Sequence, residues 1–240
     1  MVIKKLLLIS NSIQYGQGYL DHVDADIRSI LGAESRVAFV PYAAFDVDEY
    51  ENRTRQRFER MGYMLESVHR HRGREADFLR NVDAVMIGGG NTFRLLHRLY
   101  AFGLLEPIRA LVEEGRPYIG SSAGSIVAGP SIKTTKDMPV VEPPSFDALN
   151  LIPFHISPHY LDPDPNSSHM GETQEERILQ FLEENEGQVI GLREGSRLLV
   201  KGDQVTLVGS EPARLFQREA KPWESGPGPL LWLPMRMTHA

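Results

Sequence analysis

An α/β fold with a doubly wound, mostly parallel sheet and flanking helices is predicted by three features of the sequence. Short apolar runs alternate with longer segments of helical periodicity through the first half of the chain. Two of those runs end in small-residue turns, Gly88-Gly89-Gly90-Asn91 and Gly120-Ser121-Ser122-Ala123-Gly124. The chain has 240 residues, enough to bury one full α/β core. A rhythm of strand, helix, strand implies parallel pairing with right-handed crossovers and helices over both sheet faces.

Leu6 to Ile9 reads as a buried strand, too short to span a membrane and without a signal-peptide cleavage pattern. Leu20 to Leu31 reads as a helix. Arg36 to Val40 is a strand stopped by Pro41, and Asp46 to Met61 has the charge and apolar spacing of a helix. Met64 to Val68 is a weaker strand and Ala84 to Ile87 a strong one. Helices over Thr92 to Tyr100 and Leu105 to Glu114 lead to a strand at Arg116 to Ser121. The proline-containing stretch 129–150 is expected to be a long loop, and Phe154 to Ser157 a strand. Residues 161–171, rich in Pro, Asp, Asn and Ser, are expected to form a loop. Thr173 to Glu184 is a helix with acidic residues suiting its N-terminal end. Gln188 to Leu192, Ser196 to Lys201 and Val205 to Val208 follow as strands, with a hairpin turn at Lys201-Gly202-Asp203-Gln204. One domain over 1–216 is expected, with 217–240 as a C-terminal extension that the sequence does not place.

Composition narrows the chemistry. A formal charge of −6 argues against a nucleic-acid binder, and the cluster His69-Arg70-His71-Arg72 reads as a solvated loop. The absence of cysteine excludes disulfides, thiolate catalysis and cysteine-ligated metals, and fits a reducing, cytoplasmic setting.

Ser122 is the candidate nucleophile. Glycines on both sides let the chain turn sharply after a strand and push the central hydroxyl outward, while the next residue offers a backbone N–H to a developing oxyanion. Ligands in open parallel sheets bind outside the carboxyl ends of the strands, so the glycine turn at 88–90 is expected to face Ser122. The dinucleotide and P-loop glycine patterns are both absent. A serine needs a base, and His155, His159 and His169 are the candidates. His159 lies at a strand end, His155 within a strand where packing is expected, and His169 in a loop. Asp137 and Glu194 are both candidates for the acid that orients the histidine.

These stretches resemble the peptidase E family of serine peptidases, the α-aspartyl dipeptidases, which is related to cyanophycinase. The resemblance is carried by Leu8-Ile9-Ser10-Asn11-Ser12, Ile87 to Phe93, Ile119 to Gly124, Thr134 to Pro139, Ser145 to Leu151, Ser157 to Tyr160, Gly171-Glu172-Thr173 with Arg177-Ile178, and Ile190-Gly191-Leu192 with Glu194-Gly195. It implies a fold like that of class I glutamine amidotransferases and hydrolysis of dipeptides with an N-terminal aspartate, a small peptide substrate. It also implies no metal or other cofactor, and leaves a homodimer open. Carried over, Ser122 is the nucleophile, His159 the base and Asp137 the first choice for the third member. Glu194 is then the alternative, or a contact for the substrate amino group. Gly89, Gly90 and Ala123 are the oxyanion donors, and Asn91 and Arg177 the substrate contacts. The sequence departs from the family at Ser121, where tryptophan is usual, and at Gln174, where arginine is common. A smaller residue at 121 is expected to reshape the pocket. The missing arginine puts a carboxylate-binding group in question. A broader acyl hydrolase on the same scaffold, or a catalytically silent binder of acidic ligands, are the other readings.

Overall fold

The structure, a computed structural model, describes residues 3–33, 35–166, 168 and 170–230. In chain order the elements are β1 (Lys5–Ile9), α1 (Asp24–Leu31), β2 (Arg36–Val40), α2 (Val47–Arg60), β3 (Met64–Ser67), α3 (Glu75–Leu79), β4 (Ala84–Ile87), α4 (Thr92–Ala101), α5 (Leu105–Glu113) and β5 (Tyr118–Ser121). They continue with α6 (Ala123–Ile126), β6 (His155–Pro158), α7 (Gln174–Glu184), β7 (Gln188–Leu192), β8 (Arg197–Lys201), β9 (Gln204–Val208), β10 (Ala213–Gln217), β11 (Trp223–Ser225) and β12 (Gly228–Pro229).

The larger sheet runs β12-β9-β8-β1-β5-β4-β2-β3. Its β1 to β5 portion is parallel, the doubly wound core expected from the alternating rhythm. The strands β8, β9 and β12 extend it antiparallel beyond β1, so the sheet as a whole is mixed. Alternation along the strands explains why these runs are continuously apolar. Leu6 and Leu8 of β1 face one core while Leu7 and Ile9 face the other, and β2 and β4 divide the same way. The helices α1 and α2 cover one face through Ile27, Ile30, Tyr50 and Phe58. On the other face lie Leu79 of α3, Leu95 and Leu99 of α4, and Ile108 of α5. Each fully buried Leu or Ile contributes roughly 1.5–3 kcal/mol over exposure. Helix starts follow local chemistry. Asp46 Oδ1 accepts from Glu49 N at 2.9 Å to cap α2, and Thr173 and Glu176 form a reciprocal capping box on α7.

A second sheet, β11-β10-β7-β6, contains one parallel pair, β6 with β7. The segment after residue 216, expected as an unplaced extension, contributes β11 to this sheet and β12 to the larger one. Its pairing comes from β9 and β10, which sequence proximity alone does not announce. Residues 231–240 lie outside the described residues. Among the described residues no helix is long and apolar enough to cross a membrane.

Candidate active site

Ser122 sits at the turn between β5 and α6, with φ 52° and ψ −109°, a conformation that non-glycine residues rarely adopt. The surroundings hold it there. Ser122 N donates to Ile9 O at 2.9 Å. The Ser125 hydroxyl donates to Ile9 O at 2.8 Å and to Gly120 O at 2.9 Å. The Tyr118 hydroxyl donates to Gly124 O at 2.6 Å. The two framing glycines are required by close approach. A Cβ on Gly120 would lie 2.5 Å from Gly124 O, and one on Gly124 would lie 2.1 Å from Ile87 O. The turn is therefore pressed against the ends of both β1 and β4.

His159 follows β6 and is also in the left-handed region, at φ 51°. Its backbone is tied from three directions. His159 N donates to Ser10 Oγ at 2.9 Å, and that buried hydroxyl donates on to Leu192 O at 2.8 Å. The His159 carbonyl accepts from Lys136 Nζ at 3.0 Å and from Gln174 Nε2 at 3.2 Å. Burial lowers the Lys136 pKa and Arg177 lowers it further, while Asp137 and Glu194 act in the opposite direction. The imidazole Nε2 stands 3.0 Å from Ser122 Oγ, and Nδ1 stands 2.7 Å from Glu194 Oε1. A carboxylate only accepts, so this contact puts the proton on Nδ1 and leaves Nε2 to accept from the serine hydroxyl. The loop carrying Glu194 is anchored on both sides. Asn11 Oδ1 accepts from Gly195 N at 2.7 Å. Arg193 bonds both oxygens of Asp162 and of Glu224.

Asp137, the first choice from sequence for the acid beside the histidine, is engaged elsewhere. Its Oδ2 accepts from Thr92 N at 2.7 Å and from Thr92 Oγ1 at 2.5 Å, so it serves the start of α4. The acid in contact with His159 is Glu194. Asn91, expected to touch substrate, caps the same helix: its Oδ1 accepts from Arg94 N at 2.9 Å and its Nδ2 donates to Met138 O at 2.8 Å. Arg177 lies away from the cleft that holds Ser122, in a smaller depression with Gln174, Lys133 and Phe181. Gln174 is committed to the backbone on both sides of Tyr160, accepting from Leu161 N at 2.9 Å as well as bonding the His159 carbonyl. Ser121 is fully buried and does not line the cleft; its hydroxyl has no hydrogen-bond partner among the described residues. The pocket reshaping expected from a small residue at 121 is therefore not a direct effect of its side chain on the cleft wall.

Of the histidine alternatives, His169 lies outside the described residues, and His155 packs as its strand position implied. The His155 ring is edge-on to Phe181, with centroids 4.9 Å apart, and its Nδ1 has no partner among the described residues. Burial pushes its pKa down to about 4. The unfolded chain binds a proton at this residue near pH 6.5 and the folded one only near 4, so stability rises with pH through that window. Acidification from about pH 6.5 to 4 is expected to cost on the order of 3 kcal/mol from this one residue. Urea midpoints measured across that range should fall more steeply for the native chain than for His155→Leu. Parallel pH dependences would refute the assignment.

Gly89 lies directly beside the serine, where a Cβ would stand 3.1 Å from Ser122 Cβ. The two small-residue turns thus face one another as expected from their shared sheet edge. The Gly89 N–H is bonded to the Tyr50 hydroxyl at 2.8 Å. Gly88 has no room for a Cβ because the Tyr50 hydroxyl would lie 2.4 Å away and its ring 2.7 Å away. Burial pushes the Tyr50 phenol up, while its contacts with Gly89 and Arg53 draw it down. Ala123 occupies the first position of α6, where a backbone N–H has no partner within the helix.

Ser122, His159, Asp137, Gly89 and Gly90 line one cleft of about 620 Å³ together with Ser12, Asp46, Glu49, Tyr50 and Arg53. That volume is in the range of small-molecule sites. The α2 contribution was not read from the sequence as functional. Tyr50 sits on the apolar stripe of an amphipathic helix and looks like core there; only the approach of α2 to β4 turns that stripe toward the serine.

A model of peptidase family S51 matches residues 6–208. The chain is 52% identical over 223 residues to peptidase E of Streptomyces coelicolor, covering 93% of this chain and 91% of that protein. It is 45% identical over 227 residues to a Drosophila melanogaster protein named "Probable alpha-aspartyl dipeptidase", covering 93% and 94%. The crystal structure of a peptidase from an acI-B1 Actinobacterium superposes with a TM-score of 0.70 at 16% identity, covering 93% of this chain and 94% of that one, which speaks for the fold.

Proposed function

The chain belongs to peptidase family S51, and from that premise we propose that Ser122, His159 and Glu194 carry out the reaction of a serine dipeptidase on substrates with an N-terminal aspartate. The observation that carries the residue assignment is the continuous relay from Ser122 Oγ to His159 Nε2 at 3.0 Å and from His159 Nδ1 to Glu194 Oε1 at 2.7 Å. It opens into a cleft of dipeptide size.

His159 Nε2 takes the Ser122 proton as Oγ attacks the aspartyl carbonyl. The oxyanion forms beside the Gly89–Gly90 turn and the Ala123 N–H. Gly90 and Ala123 are the donors, with Gly89 joining when the Tyr50 hydroxyl yields its bond. The imidazolium, stabilised by Glu194, gives its proton to the leaving amine as the C–N bond breaks. Water, deprotonated by His159, then releases aspartate from the ester on Ser122. Asp46 and Glu49 at the α2 side of the cleft offer charge complementary to the substrate's α-ammonium group. No step needs a metal ion or other cofactor.

The test is kinetic and chemical. Asp-Leu is expected to turn over with an acyl-enzyme burst, well ahead of β-aspartyl peptides and simple esters, and a serine-directed acylating reagent is expected to add mass to the peptide containing Ser122. Preference for β-aspartyl peptides would favour a cyanophycinase-like activity instead. Failure of Ser122 to label would refute the nucleophile assignment.

A further inference from the structure

The inference rests on the reading of the chain as an Asp-X dipeptidase and concerns what recognises the aspartate. A buried or half-buried substrate carboxylate needs a cation, and neither the position where the family has an arginine nor the sequence candidate Arg177 supplies one in the cleft. Position 174 is a glutamine spent on the backbone around His159, and Arg177 faces a different depression. Among the residues lining the cleft with Ser122 there is one arginine or lysine, Arg53 of α2.

Three observations mark Arg53 as a group waiting for an anion. First, no carboxylate among the described residues lies within ion-pair distance of it, although Arg55 and Arg57 on the same helix are paired with Glu59 and with Asp21 and Asp24. Second, its guanidinium is held by aromatic faces and not by charge. Its Cζ stands 4.6 Å from the Tyr19 ring centroid and 5.0 Å from that of Tyr50. The Arg53 side chain also approaches the Tyr50 hydroxyl; ring contacts fix the plane of a guanidinium, and its five N–H donors leave enough for a bidentate carboxylate. Third, Arg53 stands on the correct flank. In the sheet order β1-β5-β4, Ser122 extends from the middle strand. His159 is tied to the β1 flank through Ser10, and Tyr50, against which Arg53 packs, is tied to the β4 flank through Gly89. The leaving amine must depart beside His159, so the acyl half of the substrate, which bears the aspartate side chain, lies toward Gly89, Tyr50 and Arg53.

We propose that Arg53 is the specificity-determining residue that binds the β-carboxylate of the N-terminal aspartate, in place of a cation at position 174. A charge-assisted pair of this kind discriminates by about 10- to 100-fold against a neutral isostere.

The experiment compares kcat/KM for Asp-Leu, Asn-Leu and Asp-Leu-amide in the native enzyme, Arg53→Gln and Arg53→Lys. Arg53→Gln is expected to collapse the Asp-over-Asn preference by about 10- to 100-fold, and to do so equally with Asp-Leu-amide, which has no free C-terminal carboxylate. Arg53→Lys, which returns the charge without the fork, should keep part of it. Because the readout is a ratio of two substrates on one variant, partial loss of folded enzyme cancels. If the native enzyme prefers Asp and Arg53→Gln keeps that preference, the Arg53 proposal is wrong and the substrate reading stands. If the loss appears only with a free C-terminal carboxylate, Arg53 binds the leaving residue and the proposal is equally overturned. If the native enzyme shows no preference for Asp over Asn, the substrate reading fails and this proposal with it.

Discussion

Ser122→Ala is expected to lower kcat for Asp-Leu by roughly 10⁴- to 10⁶-fold and to abolish the acyl-enzyme burst. Among the described residues the one hydrogen bond of its side chain runs to His159 Nε2, so the substitution deletes the nucleophile while leaving the turn itself intact. That turn is held by main-chain and neighbouring side-chain bonds at Ile9, Gly120 and Gly124, none of which uses Ser122 Oγ. Alanine meets the same strain at φ 52° as serine does, so stability should change by no more than about 1 kcal/mol. Single-turnover kinetics together with thermal melts check both halves. A variant that folds and still hydrolyses the dipeptide with a burst would exclude Ser122 as the nucleophile.

The second large effect separates two acids that the sequence ranks the other way. Glu194→Gln keeps the shape of the side chain but cannot hold the Nδ1 proton as a carboxylate does. The neutral amide favours the wrong tautomer and leaves the imidazolium without its counter-charge. We expect kcat to fall roughly 10²- to 10³-fold. The loss should be smaller than for a buried triad acid because the His159 and Glu194 side chains are 39% and 51% exposed, and water replaces part of the lost interaction. Asp137→Ala removes the acceptor from Thr92 N and Oγ1 and so acts on the start of α4. Its signature should be about 1–2 kcal/mol of lost stability with kcat within tenfold of the native value. Measured side by side, kcat and the urea midpoint should therefore respond to different variants. The reverse pattern would return Asp137 to the triad.

Several elements were legible because their determinants are local. The apolar runs of β1, β2 and β4 are continuous because both sheet faces are covered, and α2, α4 and α7 announce themselves through capping residues and amphipathic spacing. The β11 and β12 strands were not legible. They are three and two residues long and exist only because β10 and β9, respectively, offer them partners. Asn91 illustrates a different failure. It stands in a conspicuous motif at a strand end, yet the motif serves a helix cap, and capping and ligand binding select the same residue type at that position.

The sequence by itself determined the candidate serine and its turn. Gly120, Ser122 and Gly124 lie within five consecutive residues, and the backbone geometry they allow is a property of those residues and the apolar strand before them. Only the tertiary structure decided which acid meets His159 and which cation lines the cleft beside Ser122. Glu194 reaches the imidazole because Asn11, at the end of β1, holds the loop after β7, a contact between residues 184 positions apart. Arg53 reaches the cleft because α2 packs its tyrosine against the end of β4. Local preferences act over a turn or two of chain. A catalytic relay is set by ångström distances between chain segments, and those are fixed when the two cores pack.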